Sequence, residues 1–439
     1  MAKTTDSLLL ILWVLTLGLD SFAGSDKAPG LIYPENFIYQ GAFSLPGPEG
    51  RENSFSYGGY AMTYAPLNKG SLFIMGHPRL GYGEFENGNQ VAQVDIPIPI
   101  ISKHITRLNR AKFVQKFTNI RGPLFAPYSE IPQVGMAYME TPKTGKKIHL
   151  CWGQHFHETP QEQVPTHAWF NPGLESSQIR GGWYIGNQSL YSTNAYLFGI
   201  DKAWADKYLG GRYLVSGRFR DGGWSGMGPS LFAYAPWLSG NPPPNGTRLE
   251  EKTLLLYQRS KTCSQIKRAL TGYQYADDWA GGAWISIGKH KPCLIFAGTK
   301  ATGAKYWYGW RHPEGEQYPC IETAFKDQFT TCRRKDGSAC PPADLGGCSA
   351  HDDYRGWWSQ KFNAAIIFYN PEDLARVATG QIQAFEPQPY AFFYIDSILF
   401  LTKGVEPGML GTGNQRISRI ASIAYDPAGL THVNIVKCL

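Results

Sequence analysis

One short block recurs along the chain and most constrains its fold: small residues around a glycine, an apolar strand, a turn and a second apolar strand. Clear copies begin at Tyr57, Val134 and Gly281, and weaker copies begin at Gly228 and Ile420. The second strands of the clear copies close on a glycine and a polar residue, as Gly76-His77, Gly153-Gln154 and Gly298-Thr299. A strand–turn–strand unit that returns at long, irregular intervals is typical of a β-propeller with variable loops.

The number of copies predicts an all-β fold, a propeller of five blades, with six or seven blades as alternatives. Small residues suit the innermost strands, which crowd together at the channel. A β-sandwich is disfavoured because it seldom needs a chain of this length. Residues 37–43 are predicted to supply a strand that closes the ring with the last blade. Two short helices are predicted at 202–208 and 371–379, the second opened by Pro371 and followed by Gly380.

The N-terminus has the features of a secretory signal peptide. Lys3 precedes the apolar run 8–19, and Ser21-Phe22-Ala23 places small residues where a signal peptidase reads. A membrane anchor is the alternative, but the run is too short for the roughly 20 residues that span a bilayer. We therefore expect cleavage after Ala23. The mature chain 24–439 is predicted to be one propeller domain in an extracellular or periplasmic compartment.

Composition narrows the class of partner. Charged residues make up 18% of the chain, below the typical value of about 25%, while aromatic residues reach 14%. The net charge of +7 is not gathered in a sequence stripe of the kind expected for nucleic acid, so no nucleic-acid partner is predicted. A mildly basic surface fits an acidic partner such as a uronate or sulfated glycan, although solubility alone also explains it. A monomer is expected.

Eight cysteines in an exported chain favour disulfides. Four of them lie within a long polar loop at 311–353: Cys320, Cys332, Cys340 and Cys348. A zinc cluster is the alternative, but the four have no C-x2-C pair. The spacing therefore favours two local disulfides that staple this loop, with the pairing left open. The other four cysteines are dispersed along the chain.

Several further runs resemble a family of secreted, largely uncharacterised bacterial proteins with propeller-like repeats. The resemblance extends from Phe37 to Tyr425 and is carried by Gly-Arg-Phe-Arg-Asp-Gly-Gly at 217–223, Gly-Pro-Ser-Leu at 228–231, Gly-Thr-Lys at 298–300, Arg-Gly-Trp-Trp-Ser at 355–359 and Pro-Gln-Pro-Tyr at 387–390. It implies export and a propeller fold. It implies no particular activity.

The turns after the second strands are expected to gather at one mouth of the channel, where propeller enzymes usually hold their sites. This would bring His77, Gln154, His155 and Lys300 together, unless they are only turn residues that satisfy local backbone groups. His155 and His157 alternate, so on a strand they share one face. With His167 they could bind zinc or copper, but no matched carboxylate or cysteine spacing supports this. A histidine acting as a base or hydrogen-bond donor is the favoured interpretation.

The run 217–223 places Arg218 and Arg220 on one face of a strand that leads into a tight turn. One arginine is a candidate clamp for a carboxylate, with Asp221 as its orienting partner or as a catalytic acid. The alternative is a structural Arg–Asp pair between blades. Asp278 lies in one of two acidic pairs on loops, where turn formation or calcium binding is the usual role.

Dense aromatic stretches surround Trp307 and Trp357, and exposed aromatic rings hold sugars by stacking on them. Burial in the core is the alternative, but consecutive aromatic residues in a strand cannot all point inward. The residues predicted to bind substrate are Gln154, His157, Arg218, Asp278, Lys300, Trp307, Arg355 and Trp357.

The leading hypothesis is a secreted polysaccharide lyase that acts on an acidic glycan by β-elimination. The catalytic candidates are His77, His155, Arg220 and Asp221, with a histidine as base and a cation on the uronate carboxylate. The alternatives are a glycoside hydrolase with Asp221 and Asp278 as its carboxylates, and a non-catalytic module that binds glycan or protein at the cell surface. The chain has no G-x-S-x-G, P-loop or H-E-x-x-H motif. No cofactor is required, and a structural Ca²⁺ stays an open alternative.

Overall fold

The structure, a computed structural model, describes most of the chain. The described residues are 11–17, 27–80, 85–102, 104–125, 128, 131, 133–154, 162–218, 226–258, 268–274, 276–287, 291–303, 305–307, 319–320, 325–326, 329–330, 357–359, 361–396, 420–427 and 432–437. Side chains in 11–17, 304–358 and 432–437 lie outside the description.

Strands dominate the described chain. They are β1 (Ile11–Leu17), β2 (Phe37–Ser44), β3 (Met62–Ala65), β4 (Ser71–Met75), β5 (Val91–Asp95), β6 (Phe113–Thr118), β7 (Gln133–Thr141), β8 (Gly145–Gly153), β9 (His167–Phe170), β10 (Arg180–Ile185), β11 (Tyr196–Gly199), β12 (Leu214–Gly217), β13 (Ser230–Tyr234), β14 (Arg248–Leu249), β15 (Glu251–Leu256), β16 (Asp278–Ile285), β17 (Cys293–Ala301), β18 (Lys305–Trp307), β19 (Pro319–Cys320), β20 (Phe325–Lys326), β21 (Phe329–Thr330), β22 (Trp357–Ser359), β23 (Phe362–Tyr369), β24 (Ala391–Tyr394), β25 (Ser422–Asp426) and β26 (His432–Lys437). The α-helices are α1 (Leu190–Thr193), α2 (Lys202–Leu209) and α3 (Pro371–Ala378). Short 3-10 helices span Pro34–Asn36, Ile105–Arg107, Gly122–Phe125, Leu174–Ser176 and Pro236–Leu238.

Most of these strands form antiparallel sheets that follow one another along the chain. Sheet A has the order β3-β4-β5-β6, and sheet B the order β7-β8-β9-β10, with β14 added in parallel to β10. Sheet C has the order β11-β12-β13-β15, and sheet D the order β16-β17-β23-β24. Sheet E has the order β25-β26-β1-β2 and joins both ends of the chain. Four antiparallel strands in each unit are the usual form of a propeller blade.

The sheets pack face to face because their strands are apolar on both faces. In β4, Leu72 and Ile74 pack towards sheet E, whereas Phe73 and Met75 pack towards sheet B. Equivalent clusters fill the spaces between sheets B and C, C and D, and D and E. Successive side chains of a strand point to opposite faces of its sheet, so each sheet presents an apolar face to each of its two neighbouring sheets. This packing confirms the prediction of an all-β propeller fold.

Small residues permit the first strands of the sheets to lie close together. A Cβ added to Gly135 of β7 would lie 2.6 Å from the backbone of Leu197 in β11. One added to Gly281 of β16 would lie 2.7 Å from the side chain of Ile423 in β25. At these distances a side chain at either position would force the neighbouring strand to shift. The structure therefore confirms that the small residues of the repeat belong to the innermost strands.

The apolar run near the N-terminus forms β1 in sheet E. This strand pairs with β2 from Ile11↔Ser44 to Leu17↔Phe37, and with β26 from Ile11↔Lys437 to Thr16↔His432. The predicted closing strand, β2, is indeed in the same sheet as β25 and β26, with β1 between them. Removal of the predicted signal peptide would take β1 out of this sheet. Cleavage after Ala23 stays a prediction.

Both predicted helices are confirmed, and local capping explains their bounds. The Asp201 side chain accepts a hydrogen bond from the Trp204 amide at 2.7 Å at the start of α2. Asn370 caps α3 in the same way, with Pro371 in the first turn and Gly380 beyond the end at φ 73°. Among the described residues, no helix is both long and apolar enough to cross a bilayer.

Two of the dispersed cysteines, Cys151 and Cys293, are buried free thiols. Both lie in second strands of sheets, β8 and β17, and burial raises the pKa of each thiol. These two residues therefore behave as small apolar side chains. The side chains of the Cys-rich loop lie outside the described residues, so its disulfides stay a prediction.

Candidate functional site

The start of each innermost strand pairs with the end of the second strand of its sheet. The pairs include Gln133↔Gly153 in sheet B, Tyr196↔Gly217 in sheet C and Asp278↔Thr299 in sheet D. The connections after the second strands therefore leave from the end of the propeller at which the innermost strands begin. We call this end the mouth. It is the place predicted for the Gly-polar endings of the repeat.

Lys300 at the mouth is held by internal contacts. Its ammonium donates to Asp277 Oδ1 at 2.9 Å, to the Gly272 carbonyl at 2.7 Å and to the Ala301 carbonyl at 3.0 Å. The side chains of Lys300 and Asp277 are only 5% and 1% exposed. An ammonium has three protons, so these contacts use all of its donors. This geometry favours the structural interpretation of Lys300, as a tie between β17 and the segment before β16.

Asp277 is the partner that makes this burial possible. Its carboxylate also accepts from the amides of Ala301 at 2.9 Å and Gln274 at 3.2 Å. Burial raises the pKa of Asp277, while the ammonium of Lys300 and these hydrogen bonds act in the opposite direction. The neighbouring Asp278 begins β16 and is also buried, at 3% exposure.

Arg218 lies at the base of its loop and is fully buried. Its amide donates to Ser230 Oγ at 3.2 Å, and its guanidinium donates to the Gly228 carbonyl. Ser230 Oγ donates in turn to the Ser192 carbonyl at 2.7 Å. Arg218 therefore ties the end of β12 to the start of β13. Arg220 and Asp221 follow in a loop that lies outside the described residues.

His77 also lies at the mouth, directly after β4, and is 6% exposed. Its Nδ1 lies 3.0 Å from the Pro78 carbonyl oxygen, and its ring packs against Tyr57 and Phe85. Because a carbonyl only accepts, a neutral imidazole in this position carries its proton on Nδ1. Nε2 then carries the lone pair, as a general base requires.

Gln154 follows β8 at the mouth and is half-buried. The loop that begins after it includes His155 and His157, which lie outside the described residues, as does Arg355. The structure thus brings His77, Gln154, Arg218, Asp278 and Lys300 to one end of the propeller. Among the described residues, no group of three or more potential ligands could hold a metal ion.

The two aromatic stretches lie on neighbouring strands. In the ladder of β18 and β22, Trp307 pairs with Trp357 and Tyr306 pairs with Trp358. Trp307 and Trp357 are therefore directly opposed positions of neighbouring strands. Both strands belong to the long connection between β17 and β23, which begins at the mouth. The sequence placed these residues some fifty positions apart, and only the strand pairing makes them neighbours.

His167, a candidate metal ligand in the sequence, forms hydrogen bonds inside the fold instead. Its Nδ1 lies 2.8 Å from Thr166 Oγ1 and its Nε2 lies 3.1 Å from Ser216 Oγ, so it bridges sheets B and C. Burial lowers its pKa to about 3, with a smaller contribution from His149. This imidazole is therefore neutral and structural.

Sequence reasoning missed Asn194, which follows α1 and lies two residues before β11. Its side chain is 1% exposed, and neither amide atom has a hydrogen-bond partner in the described part of the chain. It lies against Gly153, where an added Cβ would be 2.0 Å from Asn194 Nδ2. This contact explains the glycine that closes β8. The position of Asn194 has no signature in the local sequence because the contact joins two sheets.

No family model and no curated protein matches this chain. The fold and the arrangement at the mouth therefore define its class: a β-propeller protein with a loop-rich mouth.

Proposed function

We propose that this chain is a secreted, five-bladed propeller enzyme that cleaves an acidic polysaccharide by β-elimination at the mouth. Sheets A to E would be the five blades. Export, and membership of the secreted propeller family that the sequence resembles, belong to the same proposal. One observation supports this function most strongly. The connections after the second strands of sheets A, B, C and D leave from one end, and they include nearly all of the candidate residues.

The reaction needs a cation on the uronate carboxylate and a base for the C5 proton. The base takes that proton and the C5–H electrons form the C4=C5 double bond. The C4–O bond breaks with its electrons on oxygen, and this oxygen takes a proton from the protonated base or from water, so that the sugar leaves as an alcohol. Arg220 is assigned to the carboxylate, because the donors of Lys300 are used inside the fold. His155 is the first candidate base, and His77, with only 6% of its surface exposed, is the second. Arg218 acts by holding the loop that contains Arg220 and Asp221.

Substrate binding is supported by the ladder of β18 and β22. Trp307 and Trp357 are paired positions there, and paired aromatic residues would offer a surface on which pyranose rings stack. Lys305 pairs with Ser359 two positions away in the same ladder. A cation beside paired aromatic residues fits an acidic sugar chain.

The same ladder also suits a second candidate, a propeller that binds acidic glycan without cleaving it. A hydrolase that uses Asp221 and Asp278 remains the rival within the enzyme class. Because Asp278 is buried, it is a poor candidate for a solvent-accessible nucleophile, and the hydrolase is a weaker proposal than the lyase.

Incubation of the purified chain with uronate-containing and neutral polysaccharides tests the proposal. We expect the absorbance of unsaturated uronate and the number of reducing ends to rise together on an acidic substrate. His155→Ala and Arg220→Ala should each abolish both signals. Lys207→Ala, an exposed substitution on α2 at the opposite end of the propeller, serves as the matched control. Reducing ends without unsaturated product would establish a hydrolase, and retention on immobilised glycan without any product would establish the binding module.

A further inference from the structure

The loop between β5 and β6, residues 96–111, is a compact structure whose two ends are joined. The Asp95 amide donates to the Lys112 carbonyl at 3.0 Å, and the Lys112 amide donates to Asp95 Oδ1 at 2.6 Å. Ile100 exchanges backbone hydrogen bonds with Ala42 of β2, at 3.0 and 2.9 Å. We call residues 96–111 the isoleucine loop. Its ends and its middle are therefore fixed to sheets A and E.

The apolar side chains of the isoleucine loop divide between two directions. Leu108 is buried in the core, and Ile100 packs against the same cluster. Ile98 and Ile101 point into solvent instead, with 80% and 71% of their surface exposed. The Asn109 side chain donates to the Ile98 carbonyl at 2.8 Å, which fixes the exposed tip beside the basic end of the loop. The anchored loop thus presents two aliphatic side chains with no cover in the described structure.

Positive charge is concentrated around these isoleucines. The connection itself, residues 96–112, contains four lysines and arginines and no aspartate or glutamate, whereas the whole chain has 42 of the former and 35 of the latter. Arg107, Arg110 and Lys112 are exposed, and in the described chain none of the three forms an ion pair. Lys116 pairs with Glu49 at 2.7 Å. The charge is therefore less evenly spread than the total composition suggests.

We propose that the isoleucine loop docks the propeller onto the surface of an anionic lipid bilayer. Ile98 and Ile101 would enter the boundary between headgroups and acyl chains, and Arg107, Arg110 and Lys112 would contact the anionic headgroups. A glycan is the poorer occupant, because the loop has no aromatic residue on which a sugar can stack. A second copy of this chain is also poorer, because a two-fold contact would bring like charges together. This surface is separate from the mouth and does not depend on its activity.

Flotation of the full chain with vesicles tests this inference. We expect binding to vesicles of phosphatidylcholine with about a third phosphatidylglycerol, and little binding to phosphatidylcholine alone. Each surface cation contributes on the order of fivefold to such binding, so the double substitution Arg107→Glu and Arg110→Glu should lower it at least about 25-fold. Ile98→Ser with Ile101→Ser should lower it at least about tenfold, because the buried aliphatic area is lost.

The controls keep the same N-terminus and change equally exposed residues elsewhere. Lys207→Glu with Lys252→Glu matches the charge change, and Leu238→Ser matches an exposed apolar residue. Unchanged thermal unfolding of all variants shows that the loop substitutions act on the surface. Vesicle binding that both loop variants leave intact would overturn the inference. It would also be overturned if the loop arginines governed retention on an acidic polysaccharide while the isoleucine variant behaved as wild type, or if the isoleucine variant changed only self-association.

Discussion

The stability of the folded protein should fall at acid pH because of a buried histidine in sheet B, His149. Its side chain is fully buried, with its ring at 5.4 Å from the Trp169 ring and 5.9 Å from the Trp237 ring. In the described structure neither ring nitrogen has a hydrogen-bond partner. Burial lowers the pKa of His149 to about 3, with a smaller contribution from the charge of Lys147. The folded state therefore holds this imidazole neutral where an unfolded chain would protonate it.

The size of the effect follows from proton linkage. A group whose pKa is lowered in the folded state stabilises that state above its unfolded pKa of about 6.5, and the contribution is lost as the pH falls towards 3. At pH 4, a shift from about 6.5 to about 3 corresponds to a loss of about 3 kcal/mol. His167, with its pKa also lowered to about 3, adds a similar loss. Together they are comparable with the whole stability of a typical domain, about 5–15 kcal/mol.

The substitution His149→Phe isolates the contribution of His149 to the pH dependence of stability, because phenylalanine suits the aromatic surroundings and does not titrate. At pH 4 we expect the variant to lose about 3 kcal/mol less stability, relative to its own value at pH 7, than the wild type. Urea unfolding followed by tryptophan fluorescence at pH 7, 5.5 and 4 measures this difference. His104→Gln, at an exposed position, should follow the wild type. Equal pH dependence of His149→Phe and the wild type would refute the reasoning.

Three further predictions concern the framework of the propeller. Asp277→Asn leaves the buried ammonium of Lys300 without its carboxylate and should lower the free energy of unfolding by about 3–5 kcal/mol in urea titrations. Gly135→Ala forces a methyl group onto the neighbouring innermost strand and should lower the free energy of unfolding by about 1–3 kcal/mol. Gly47→Ala, with open space around it, should lower it much less, and equal shifts of the two melting temperatures would contradict this. Deleting residues 1–23 removes β1, so hydrogen exchange should accelerate in β2 and β26, and unchanged protection would disprove the pairing.

Local patterns were sufficient to predict much of the fold. Alternating apolar runs and closing glycines predicted the paired first and second strands, since each sheet repeats the same short unit. Pro371 and Gly380 predicted the bounds of α3, and the structure shows that Asp201 and Asn370 cap α2 and α3 within one turn. For the site, the repeat predicted that His77, Gln154, His155 and Lys300 would gather at one mouth. The second strands before His77 and Gln154 and the strand that contains Lys300 do end at one end of the propeller, whereas His155 lies outside the described residues, so their proximity stays a prediction.

Only tertiary packing decided what these side chains do. Lys300 forms an internal contact because Asp277 accepts from its ammonium. Arg218 does so because it is buried and donates to the Gly228 carbonyl just before β13. Periodicity identifies which residues belong to a strand, but not which sheet will cover them. The pairing of Trp307 with Trp357 likewise depends on the register of two strands that are far apart in the sequence. Local steric and hydrogen-bonding preferences, which can be read along the chain, specify the repeating strands and their turns. The partners of the buried polar groups were decided by contacts between distant segments, whose energies exist only once the sheets have packed.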